Sequence, residues 1–160
     1  MAWEFLASTV LTSSGDTIDS GTIDARINLF IQVCGIADGN LDACVIRFNG
    51  DSGTNYAVRK SNDGGGSDTN VNETGMNYMS FNGTDNHYAT FHVMNKSDQE
   101  KLLNERTIRQ GTGTAVPNRK EMSGKWTNTS DSITSVQAVN RDGSGDFASG
   151  SYLNVFGSND

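Results

Sequence analysis

The chain holds one proline, two cysteines and two histidines in 160 residues, and no long apolar run. A membrane-spanning helix needs about 20 consecutive apolar residues, so none is expected. The same composition removes a coiled coil, and the scarcity of proline removes a collagen. Leucine, isoleucine, valine and phenylalanine together number only 32, one residue in five. That lies at the edge below which chains stay disordered. What is abundant is small and polar: glycine, asparagine, serine and threonine account for 67 residues. A helical bundle is disfavoured, and a thin β core carried on many polar turns is expected. The length suits one domain, residues 1–160, with one core.

The formal net charge is -7. Such a chain repels phosphate backbones, so nucleic acid is not an expected partner. Arg119, Lys120 and Lys125 form a small basic group that reads as a solvated loop. Met1-Ala2-Trp3-Glu4-Phe5 carries neither a basic region nor an apolar run of signal-peptide length, so no secretory routing is expected. The sequons at Asn72, Asn82, Asn95 and Asn128 then carry no weight in so asparagine-rich a chain.

Period-two alternation recurs between clusters of turn residues, the pattern of half-buried antiparallel strands. It marks residues 3–7 leading to Val10-Leu11, then 28–34, 43–48, 87–95, 102–110, 124–127, 133–139 and 152–156. In 87–95, Ala89, Phe91 and Val93 take one side while Tyr88, Thr90, His92 and Met94 take the other. About eight or nine antiparallel strands result, and an all-β sandwich or barrel is expected. The turns fall at Ser13-Ser14-Gly15-Asp16, Ala37-Asp38-Gly39-Asn40, 62–67 and 141–145, which hold residues that tolerate positive φ or bond their own backbone. Ser97-Asp98-Gln99-Glu100 has capping-box spacing. Only Leu102-Leu103 follows as an apolar stretch, so at most one short helix is expected there.

Cys34 and Cys44 are equidistant from Gly39. In a hairpin about that turn they would lie opposite each other, with Cα atoms about 4.5 Å apart, short but bridgeable. The lack of an export signal favours two reduced thiols packed as small apolar residues. Neither has a CxxC partner, so no zinc site is expected. His87 and His92 are separated by an odd number and face opposite sides of a strand, which prevents a shared metal. No GxSxG, GxxxxGK[ST] or GxGxxG occurs. Fourteen aspartates and five glutamates offer many carboxylate pairs, with nothing to single one out, so no enzyme activity is expected. Asn140, Asp142, Ser144 and Asp146 alternate like the first half of a calcium loop, but Ser151 stands where a bidentate glutamate is wanted. A hairpin turn is the better reading, with no metal and no cofactor. Trp3, Tyr56 and Trp126 could stack on sugars if exposed; alternation with polar neighbours instead places them as buried anchors.

Arg47-Phe48-Asn49-Gly50-Asp51-Ser52-Gly53-Thr54-Asn55-Tyr56-Ala57-Val58-Arg59 resembles a stretch of small β-sandwich virion structural proteins of tailed bacteriophages, R-F-N-x-D-S-G-x-N-Y-A-x-R. A glycine-rich segment, 62–69, follows it. Trp3-Glu4, Gly124-Lys125-Trp126 and the closing 146–157 are similar too, so the resemblance spans most of the chain. It implies a jelly-roll-like sandwich on the capsid or tail and brings no catalytic residues. The motif residues Arg47, Phe48, Asn49, Asp51, Ser52, Gly53, Tyr56 and Arg59 read as structural. Phe48 can enter the core while Arg47 and Asn49 face away, Asp51 or Asn49 can accept bonds from turn amides, and Arg47 or Arg59 can pair with Asp51.

The function the resemblance implies is that of a capsid decoration, or cement, protein. It would bind the major capsid protein lattice on the virion surface, after assembly in the host cytoplasm, and a homotrimer suits the local three-fold positions of a shell. The alternative is an adhesion module of the phage surface or tail that binds host carbohydrate.

Overall fold

The computed structural model describes residues 2–39, 41, 43–65, 70–79, 85–141, 143 and 145–160. These form strands without a helix: β1 (Glu4–Val10), β2 (Thr17–Asp19), β3 (Asn28–Gly35), β4 (Ala37–Asp38), β5 (Cys44–Phe48), β6 (Tyr56–Asn62), β7 (Asn70–Glu73), β8 (Met76–Met79), β9 (His87–Met94), β10 (Lys101–Arg109), β11 (Asn118–Trp126), β12 (Val136–Asn140), β13 (Asp146–Phe147) and β14 (Tyr152–Ser158). Every pairing is antiparallel. A large sheet runs β1-β14-β3-β9-β10-β11-β6-β7, a smaller one runs β2-β12-β5-β8, and β13 pairs with β4.

The alternation explains the layers. Along β3, Leu29, Ile31 and Val33 point inward, and Ala89, Phe91 and Val93 of β9 lie in register beside them. Across the interior, Ile18, Cys44, Ile46, Phe48, Met76, Tyr78, Val136 and Ala138 of the smaller sheet join the same apolar cluster. Each such fully buried large side chain contributes about 1.5–3 kcal/mol through lost apolar hydration. Of the sandwich or barrel expected from the alternation, the described residues form an all-β, sandwich-like arrangement.

Several local expectations are corrected. Residues 97–100 make a turn, with the Gln99 amide donating to Lys96 O, rather than a helix; the short apolar pair after it enters β10 and alternates. No hairpin joins the cysteines. β3 pairs with β14 and β9, whereas β5 pairs with β12 and β8, so Cys34 and Cys44 sit on different sheets and no disulfide joins them. The turn chemistry at 37–39 serves the small β4–β13 pair instead. Arg119, Lys120 and Lys125 belong to β11, not to a loop, and Lys120 is buried. Six further strands escape the alternation test, because β2, β4 and β13 are two or three residues long, β7 and β8 only four, and β6 carries polar residues on both faces.

Candidate functional site

Three arrangements of side chains stand out: a knot at one end of the sandwich, a row across the outer face of the large sheet, and a set of ionisable groups in its interior.

The knot is built from the 47–59 stretch. Phe48 ends β5 fully buried, and the chain turns through Asn49 at a φ of 52°. The Asn49 amide oxygen accepts from the Thr134 and Ser135 backbone, and its Nδ2 donates to Ser132 O, tying the turn to the segment before β12. Asp51 is the hub. Its carboxylate accepts from Trp126 Nε1 at 2.7 Å, from the Gly53 amide at 2.8 Å and from Asn55 Nδ2 at 2.9 Å. Burial alone would raise the Asp51 pKa; these three donors and the nearby Arg47 charge outweigh it and hold the carboxyl below its usual range. The Tyr56 hydroxyl accepts from the Phe48 amide and donates to Asp51 O, and the Tyr56 ring stacks on Trp126 with centroids 6.3 Å apart. Lys101, fully buried, sits 5.9 Å over the Trp126 ring and donates to Gln99 O and Asn128 O. Arg47 does not pair with Asp51 but donates to Thr74 O. Ser52 is exposed in the turn, and Arg59 lies apart on the outer face of β6. Tyr56 and Trp126 are buried anchors as expected.

Trp3 is not. It is 42% exposed, because it precedes edge strand β1 and packs against the outer face of the sheet rather than its core. Strand register there places Phe5, Phe156, Phe30, His92, Asn104, Ser123 and Arg59 side by side on seven successive strands. Phe30 is the centre of the aromatic half: its ring lies 4.8 Å from His92, 6.1 Å from Trp3 and 6.2 Å from Phe156. A groove of about 590 Å³ crosses this row between Trp3, Asn28, His92, Met94, Leu102 and Asn104. A second, of about 360 Å³, shares Asn104 and Ser123 with it and continues to Arg59 and Arg106. The sequence held a signal for this row: β3 carries Phe30 and Cys34 between its core residues, so both its faces have apolar members.

Inside the large sheet, β10 presents Glu105 and Thr107 and β11 presents Lys120 to the interior. Burial pushes the Glu105 carboxyl up and the Lys120 ammonium down. Thr107 Oγ1 donates to Glu105, and Lys120 Nζ donates to both oxygens of Asn77. His87 is equally buried, and desolvation lowers its pKa to about 3, so it is neutral at any ordinary pH. His92, on the opposite face, is exposed, as the odd spacing requires. Burial pushes the Cys34 thiol up.

The calcium-like alternation is used for other contacts. Asp142 and Ser144 lie outside the described residues. Asn140 Nδ2 donates to Gly145 O, and the Ser151 hydroxyl bonds the Ile36 amide and carbonyl. Among the described residues, no three His, Cys, Asp or Glu side chains are placed to hold a metal. Comparison with known protein families, curated proteins and solved structures returned no match.

Proposed function

We propose that the chain is a virion structural protein, a capsid decoration protein that binds the outer shell and stabilises it without catalytic activity. The observation that carries this reading is the 47–59 stretch. It resembles the small sandwich proteins of tailed phages, and its side chains are engaged in bonding turns and sheets to one another, with Asp51 at the hub. A fold fixed in this way offers its outer surface to a partner.

A surface for the major capsid protein lattice is available away from the knot. Val10, Tyr152, Cys34, Tyr88 and Ile108 line up across five strands of the outer face, and the β10–β11 hairpin beyond them raises Val116 to 83% exposure. Binding only the assembled lattice stabilises it by mass action, and a homotrimer at local three-fold positions would multiply the contacts. The test is copy number and position in native particles, by composition analysis or cryo-electron microscopy. Many copies spread over the shell are expected, with occupancy lost on Ile108→Asp combined with Val116→Asp. A few copies confined to the tail would sink the proposal.

A further inference from the structure

We propose that the groove across the outer face of the large sheet is a binding site for a carboxylated oligosaccharide. The inference does not depend on the decoration role. It rests on the order of side chains along the row described above, which changes from aromatic to amide and hydroxyl to guanidinium in one direction.

At one end, Trp3 and His92 line the groove, and Phe30 packs against both, Trp3 meeting it at an interplanar angle of 62°. The His92 ring is tilted by 39° from Phe30. Sugar rings carry C–H faces that pack on such aromatic surfaces, while their hydroxyls point outward to polar neighbours. Those neighbours follow on the next strands. Asn104 is exposed, with its Oδ1 accepting from Ser123 Oγ at 3.0 Å, an arrangement that leaves the amide nitrogen pointing its donors elsewhere. Arg59 closes the row. It is exposed and forms no ion pair among the described residues. The adjoining charges are engaged with each other: Arg106 with Glu121 at 3.0 Å and Lys125 with Glu100 at 2.8 Å.

An uncompensated guanidinium at the end of a groove, on a chain of net charge -7, is complementary to a carboxylate, which it can hold through two parallel hydrogen bonds. From Phe30 on β3 to Arg59 on β6 the row crosses four strand spacings, about 19 Å at 4.8 Å each. That is room for a short oligosaccharide with its acidic unit over Arg59 and its neutral units against Trp3 and His92. The groove lies four residues along β3 from the Cys34 row, about 13 Å away, so the shell-contact surface does not overlap its floor.

The purified chain should be tested on an array of carboxylated and neutral oligosaccharides, and the best carboxylated binder titrated by calorimetry. Trp3→Ala is expected to weaken binding at least tenfold. Arg59→Gln is expected to weaken the carboxylated ligand about tenfold and to leave its neutral, carboxyl-reduced form unchanged. Both residues are exposed and outside the core, so unchanged far-ultraviolet circular dichroism and melting temperature should accompany the loss; Arg59→Gln carries the test if Trp3→Ala fails to fold. Binding of no carboxylated glycan, or binding that neither substitution alters, would overturn the proposal. So would a loss of self-association on Trp3→Ala without any glycan binding, because the face would then be an interface between copies.

Discussion

Removing the Asp51 carboxylate should unlock one end of the sandwich. Trp126 is 1% exposed, and its indole N–H has Asp51 as its bonded acceptor at 2.7 Å. Asp51→Ala therefore deletes a hydrogen bond to a charged group and strands a donor that water reaches poorly. Such a loss costs about 2–3 kcal/mol. The Gly53 and Asn55 donors lie at the surface, where water replaces the carboxylate, so they add little. For a chain of this length the melting temperature should fall by about 5–10 °C. The assay is equilibrium denaturation of the native chain, Asp51→Ala, Trp126→Phe and the double variant. A coupling energy of about 1.5 kcal/mol or more is expected, because Trp126→Phe already removes the donor. The pH dependence adds a second check. With a folded pKa below the ordinary 3.8, Asp51 stabilises the fold fully above that value, and the contribution is lost as pH falls through the lower folded pKa. The gap between native and Asp51→Ala should thus be constant above about pH 5 and shrink in stronger acid. A destabilisation under about 0.5 kcal/mol, or strict additivity in the cycle, would refute the hub role of Asp51.

Three further outcomes are expected. His87 has its pKa lowered from 6.5 to about 3, so the unfolded chain takes up its proton first and stability falls as pH drops from 6.5 toward 3, by about 1.4 kcal/mol per pH unit; His87→Met should flatten that part of a urea-denaturation profile. The buried pair acts on the other side of neutrality. Glu105, raised to about 8, makes stability fall as pH rises from its ordinary 4.5, while Lys120, lowered to about 7, makes it rise again toward 10.5, and the double variant Glu105→Gln with Lys120→Met should remove this minimum near pH 7–8 from the same measurement. Finally, a Cβ on Gly35 would stand 1.8 Å from His87 Cε1, its partner across β3 and β9. Gly35→Ala should cost about 2–3 kcal/mol by thermal denaturation, and much of that cost should vanish in the His87→Ala background.

The strands that the alternation marked are those whose two faces differ: β3, β9 and β14 set Leu, Ile, Val and Phe against polar or aromatic neighbours. β6 was hidden because its inward Tyr56 and Val58 give way to Lys60, Ser61 and Asn62. The Cys34–Cys44 geometry failed for a different reason. A turn of the 37–40 type is compatible with a hairpin or with passage from one sheet to the other, and only pairing with distant β13 decides between them. The knot was half legible: Phe48 in the core and Asp51 accepting a turn amide follow from local chemistry, whereas the Asp51–Trp126 bond joins residues far apart in sequence. Trp3 misled because alternation reports which residues share a face but not which face is covered.

β1 lies at the edge of the large sheet, and its strand partner there is β14, with Glu4 opposite Gly157. During synthesis β1 must therefore wait for its β14 partner until all the strands between them have been made. Closing so large a loop before any contact rewards it makes this pairing a late and slow event. β3 shares the delay on one side, since β14 also inserts between it and β1. Until then the β9-β10-β11 meander, joined by short connections, is the natural folding nucleus, and the open edge of β3 is the segment most exposed to pairing with another chain. Truncation of β14 should accordingly yield aggregates rather than a smaller folded sandwich.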